Sequence, residues 1–271
     1  MGTEKRNPAE IVKSFYDEFG WRKDGEPSGE DQLFRAFPPA YQTYKPLAAA
    51  RILKAFEGRS GTLLIVGCGD MPDADVRLTE QFERVICVDI SKVALEISEA
   101  KLGARGTYVL GSILETDMPD GVVDAAYCAH VVYHIDQAQQ EAAVRQMIRL
   151  TKPGGRVVIL YANPLSPFTI PGGLARKAKI LARAKQSAPE LYYHAHVLGW
   201  WRRFRDQCRL SIAPLEVIGS RPAQALLKSP AVASAFFKAA SRIETKAPGV
   251  AAKLWQYPMI ILDKIAASPA E

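Results

Sequence analysis

Two periods alternate along the first 160 residues. Short, nearly unbroken apolar runs at 63–66, 85–88, 108–110, 122–128 and 156–160 predict strands covered on both faces. Between them the apolar positions fall at helical spacing. Ile11, Val12, Phe15, Tyr16 and Phe19 predict a helix over 8–20, with Pro8 in its first turn and Gly20 as its stop. Leu47, Ile52, Leu53 and Phe56 form the stripe of a helix over 46–57. Further helices are predicted at 72–84, where Asp73 and Asp75 suit the positive end of the dipole, and at 91–102, capped by Ser91 and ended by Gly103. Another covers 137–150, with Val144, Met147, Ile148 and Leu150 inward and Lys152-Pro153-Gly154-Gly155 as a sharp stop. Strands alternating with helices predict a parallel sheet covered on both faces.

The run at 63–66 breaks at Gly67-Cys68-Gly69. A side chain there would hold the backbone away from a ligand lying across the strand end, so the turn reads as a cofactor floor. Pro72 stands where a dinucleotide fingerprint would place its third glycine, which disfavours a nicotinamide oxidoreductase. Asp89 ends the next strand 20 positions after Gly69, where a carboxylate suits ribose hydroxyls. Beyond the fourth strand come His130 and His134, four apart. Without a glutamate between them or an obvious third ligand they do not make a metal site, so the metal assignment is none. An imidazole at that edge can take a proton from an acceptor hydroxyl. Packing of either ring is the competing reading.

With VGCGD at 66–70, VDIS at 88–91, GSI at 111–113, VDAAYCAHVVYHI at 123–135 and LTKPGGRVVI at 150–159, the chain resembles the class I S-adenosylmethionine-dependent methyltransferases over its middle 100 residues or so. The resemblance implies a Rossmann-like, doubly wound, seven-stranded α/β sheet whose last strand, near 257–262, is antiparallel. It implies S-adenosyl-L-methionine as cofactor, held by Gly67, Cys68, Gly69, Asp89, Ile90, Ser112, Ile113 and Cys128. Ser112 departs from an acidic residue that many relatives carry. Such families also fold an N-terminal extension over the cofactor, so residues 1–45 are expected to form a helical cap, with Tyr16 and Tyr44 reaching the ligand. Residues 46–271 would form the catalytic domain, with an acceptor-binding insertion at about 162–204 and a helical insertion at about 222–254. The first insertion combines a proline-rich loop, a basic helix at 174–185 and the densest aromatic and histidine cluster. It is expected to bring Tyr192, Tyr193, His194, His196 and Trp200, with Tyr133, to the acceptor. His134 is the base candidate and His130 the candidate on the cofactor side.

Composition alters this picture little. The 271 residues carry a formal net charge of +6 spread along the chain, which gives no case for nucleic acid. Cys68, Cys87, Cys128 and Cys208 lack metal spacing and read as buried thiols in a reducing, cytoplasmic setting. The first residues lack the apolar core of a signal peptide, and no window resembles a membrane span, so membrane insertion is not expected. Oligomeric state stays open, a homodimer included. The function expected is methyl transfer to a small molecule, at a hydroxyl oxygen of a natural-product or saccharide-like acceptor. N- or C-methylation, and a cofactor-binding partner or sensor without catalysis, remain as alternatives.

Overall fold

The computed structural model describes residues 8–16, 39–170 and 191–266. The expected helix residues 17–20, the loop and aromatics from Trp21 to Phe37, and the basic helix at 174–185 lie outside the described residues. The strands are β1 (Thr62–Val66), β2 (Arg84–Asp89), β3 (Gly106–Leu110), β4 (Val123–Ala129), β5 (Thr151–Leu160), β6 (Cys208–Glu216) and β7 (Tyr257–Lys264). They form one sheet in the order β3-β2-β1-β4-β5-β7-β6. The first five pair in parallel, and β7 runs antiparallel between β5 and β6.

Helices cover both faces because alternate residues of each central strand point to opposite sides. Leu64 and Val66 of β1 join Val144, Met147 and Ile148 of α5 (Gln140–Leu150) in one core, together with Trp201 and Phe204. Leu63 and Ile65 face the other core, with Ile52 of α2 (Pro39–Ala55), Phe56 just after it, Leu78 of α3 (Asp73–Thr79) and Leu95 of α4 (Lys92–Leu102). Each fully buried aliphatic side chain contributes roughly 1.5–3 kcal/mol, so these two layers dominate stability. The short helix α1 (Pro8–Phe15) buries Val12.

Several expected boundaries move. Helix α2 begins at Pro39 and carries Pro46 inside it, so the expected division at residue 45 falls within a helix. Leu47, assigned to its apolar stripe, is exposed, while Tyr41, Tyr44 and Ala48 are buried. Helix α3 ends at Thr79, well short of residue 84. The Lys-Pro-Gly-Gly segment belongs to β5, with Gly154 at φ +77°, beside a register shift between Val123 and Ala125 of β4. A Cβ on Gly155 would meet the Asp124 carbonyl at 2.6 Å, so close backbone packing requires glycine there.

Between β6 and β7 the chain inserts α6 (Ser220–Leu226), α7 (Pro230–Lys246) and α8 (Pro248–Leu254). These enclose a third core with Tyr41, Tyr44, Val217 and Trp255. Connections leave β1 toward β2 on one side and β4 toward β5 on the other. The carboxyl ends of β1 and β4 therefore flank the crevice where open α/β sheets bind ligands.

Candidate functional site

The glycine turn has the geometry its sequence demands. Gly67 has φ +70° and Gly69 φ +53°. A Cβ on Gly67 would meet Val131 Cγ2 at 2.2 Å, so the end of β1 lies directly against the segment leaving β4. Met71 also adopts φ +46°, although it is not glycine, and is fully buried. Lys101 closes the turn from α4: its Nζ donates to the carbonyls of Asp70 (2.6 Å) and Met71 (2.7 Å).

Asp89 braces the same turn. Its Oδ2 accepts from the Gly69 amide at 3.1 Å and its Oδ1 from the Ser91 amide at 2.8 Å. Cys68 Sγ lies 3.7 Å from Oδ2. A carboxylate has about four lone-pair sites, so a ribose hydroxyl is compatible with these donors. The carbonyl of Asp89 accepts from the Gly111 amide at 2.9 Å, which ties the end of β2 to the start of the Gly111-Ser112-Ile113 segment. Ile90 is half-buried beside Asp89. The Ser112 hydroxyl accepts from the Leu114 amide and caps a short 3-10 turn, while Ile113 is buried in the core.

A second constellation forms where β4 ends. His130 adopts φ +61°, and its buried Nδ1 has no hydrogen-bond partner among the described residues. Burial pushes its pKa down to about 4, opposed by Glu216 and reinforced by Lys45 and His134, so the ring is neutral at pH 7. Its ring lies 5.0 Å from that of Tyr257. His134 Nδ1 lies 2.7 Å from the Tyr192 carbonyl. Because a carbonyl only accepts, Nδ1 carries the hydrogen, and in the neutral ring Nε2 then carries the lone pair. Around the His134 ring stand Tyr133 at 4.6 Å, Tyr193 at 6.1 Å and Tyr16 at 6.3 Å. Tyr16 thus meets the base candidate.

Backbone bonds fix the 192–196 segment alongside. The His194 amide donates to the Tyr133 carbonyl at 2.8 Å, and Gln140 Nε2 donates to the His194 carbonyl at 2.9 Å. The His196 amide donates to the Tyr161 hydroxyl at 2.8 Å. Tyr192, Tyr193, His194 and His196 are therefore gathered beside Tyr133, His134 and Tyr161.

Three residues expected at the ligand have protein partners of their own. The Tyr44 hydroxyl donates to Glu244 Oε1 at 2.5 Å and accepts from the Val217 amide, with its ring stacked on Phe237. It belongs to the joint between α2 and the inserted helices. The Cys128 side chain is fully buried in the core, where burial pushes its thiol up to about 12. Trp200 stacks on His196 at 4.4 Å, and the Arg203 guanidinium lies 4.4 Å from the same ring. The Trp200 ring is thus engaged by both His196 and Arg203. Sequence reading missed Tyr161, just past the end of β5, and Tyr257, the first residue of β7, whose rings meet those of Tyr133 and His130. It also missed the Asp75–Tyr127 pair, 3.0 Å apart beneath the turn.

Comparison with known proteins agrees with this geometry. Residues 64–159 match a family model described as a methyltransferase domain. "Methyltransferase tpcM" from Aspergillus fumigatus is 36% identical over 100 residues, covering 36% of this chain and 30% of that protein. The ubiquinone/menaquinone biosynthesis C-methyltransferase UbiE of Yersinia pestis is 30% identical over 105 residues, covering 36% of this chain and 41% of the relative. The chain thus spans less than half the length of these curated relatives. The solved structure of geranyl diphosphate C-methyltransferase from Streptomyces coelicolor A3(2), a complex with Mg2+, geranyl diphosphate and S-adenosyl-L-homocysteine, superposes with a TM-score of 0.59. It is 16% identical, with 97% of this chain and all of that one covered, which shows a shared fold. Through the family match at 64–159, the middle third of the chain is similar to a methyltransferase domain, and the chain shares its sheet fold with a solved methyltransferase.

Proposed function

We propose that this chain transfers a methyl group from S-adenosylmethionine to a hydroxyl oxygen of a small molecule, with His134 as general base. The residues fit the cofactor: the Gly67–Gly69 turn, with both glycines at positive φ, ends β1 at the crevice, and Asp89 presents a buried carboxylate at the β2 end. When bound, the sulfonium supplies an electrophilic methyl group. What the protein adds is alignment, exclusion of water and a place for the proton.

The observation that carries the base assignment is the 2.7 Å contact between His134 Nδ1 and the Tyr192 carbonyl. It fixes the tautomer and puts the lone pair on Nε2, the atom that takes the acceptor's proton. The rings of Tyr16, Tyr133 and Tyr193 around it favour a flat or ring-shaped acceptor. His130 Nδ1 adds a buried polar atom on the same edge.

Methylation at carbon is a second reading, favoured by two of the similar proteins being named C-methyltransferases. A base that forms a phenolate serves both readings, since its oxygen and its ortho carbon are each nucleophilic. The test is turnover on a panel of hydroxylated ring compounds with isotopically labelled S-adenosylmethionine, with nuclear magnetic resonance locating the methyl group. His134→Ala should lower kcat about 100-fold or more while leaving S-adenosylhomocysteine affinity unchanged. Retained activity would assign His134 to packing. Absence of turnover for the wild type across the panel would favour a binding protein without catalysis.

A further inference from the structure

The helical insertion between β6 and β7 combines two features on its outer surface. Segment 220–254 contains a single carboxylate, Glu244, which is buried and paired with Arg51. Its exposed charges are all positive: Lys228, Lys238, Arg242, Lys246 and Lys253, none with an ion-pair partner among the described residues. Leu226, Val232, Ile243, Val250 and Leu254 are exposed with them, Leu226 to 63%.

The pattern is ordered along the helices. On α7, Ala233, Phe237, Ala240 and Glu244 form the buried stripe. Val232, Ala239 and Ile243, at i, i+7 and i+11, fall along one flank, and Lys246, Arg242 and Lys238 step round the solvent side. On α8, Val250 and Leu254 are four apart and share a face. The apolar surface continues onto the loop after β5. Asn163 Nδ2 donates to the Lys253 carbonyl and Ser166 Oγ to the Leu254 carbonyl, which holds the 163–166 loop, with Leu165 65% exposed, against the end of α8. This surface stands on the sheet edge that carries the site, because α6 follows the carboxyl end of β6 and α8 leads into β7.

We propose that this face docks on an anionic phospholipid bilayer, lying on it without crossing it. Exposed aliphatic side chains interleaved with lysines, and no exposed acid, complement a negatively charged interface. No described helix is long and apolar enough to span a bilayer. The aliphatic residues distinguish this face from one suited to phosphodiester backbones, which calls for basic and hydrogen-bonding groups.

The full chain would be sedimented with vesicles of phosphatidylcholine alone or with about one-third phosphatidylglycerol. The expected result is binding to the anionic vesicles that weakens at high salt. Lys238→Glu/Arg242→Glu/Lys246→Glu should weaken it on the order of tenfold or more. Val250→Ser/Leu254→Ser, with unchanged charge, should weaken it as well, and circular dichroism would verify that both variants remain folded. The proposal is overturned if the wild type does not sediment with anionic vesicles, if the charge variant binds as the wild type does, or if a single-stranded oligonucleotide competes the vesicles away.

Discussion

Asp75 stands in the first turn of α3, where the helix dipole favours a carboxylate, yet burial pushes its pKa up to about 7. The Tyr127 hydroxyl bond opposes that shift, Asp70 adds to it, and Lys101 and Lys45 oppose it. A raised carboxyl pKa means the folded state holds its proton longer than the unfolded chain does. Stability from this group is full below about pH 4 and declines as pH rises toward 7, at up to roughly 1.4 kcal/mol per pH unit. His130 acts in the opposite sense. Its pKa is lowered to about 4, so its contribution is full above pH 6.5 and declines as pH falls toward 4. The two slopes offset one another across the same window. Asp75→Asn should remove the first, so that urea unfolding of the variant gains stability relative to wild type as pH rises from about 4 to 7. A constant difference between the two proteins across that range would show that Asp75 titrates normally. Residues whose roles are local were legible in sequence: Gly67 and Gly69 as the turn, Ser91 as the α4 cap accepting from Ala94. Asp75 was read only as a dipole partner, because Tyr127 lies 52 positions away. Lys101 was missed for the same reason, with the carbonyls it holds about 30 positions upstream.

At the scale of elements, the inserted helices are fastened to α2 through one buried carboxylate. Glu244 accepts from the Tyr44 hydroxyl, from Trp255 Nε1 at 2.7 Å and from Arg51, which also donates to the Leu215 carbonyl. Deleting one partner of such a pair leaves the other's charge uncompensated. Glu244→Ala should therefore cost about 3 kcal/mol, read as a lowered Tm, while S-adenosylhomocysteine affinity is kept. An unchanged Tm would mean the joint contributes nothing net. Strand positions were well marked in sequence because central strands buried on both faces are continuous apolar runs. Helix limits were less so. The start of α2 at Pro39 escaped notice because Tyr41 and Tyr44 pack against helices some 200 residues later.

In the whole molecule, the sheet order brings the Gly67 turn, Asp89, His130 and His134 to one edge, with the 192–196 segment over the end of β4. The fold and the glycine turn were legible because their motifs lie close together in sequence. The acceptor half depends on contacts between segments some 55 residues apart, as between His134 and Tyr192, and there the sequence supplied residue types without their partners. The central claim, a cofactor cradle built by the glycine turn and Asp89, is tested most directly by calorimetric titration with S-adenosylhomocysteine, with NAD as control. Saturable one-to-one binding in the micromolar range is expected, with none for NAD, and Asp89→Ala should weaken it by roughly 1.5–3 kcal/mol. Heats from NAD alone, or an Asp89→Ala variant that binds S-adenosylhomocysteine as tightly as wild type, would contradict it.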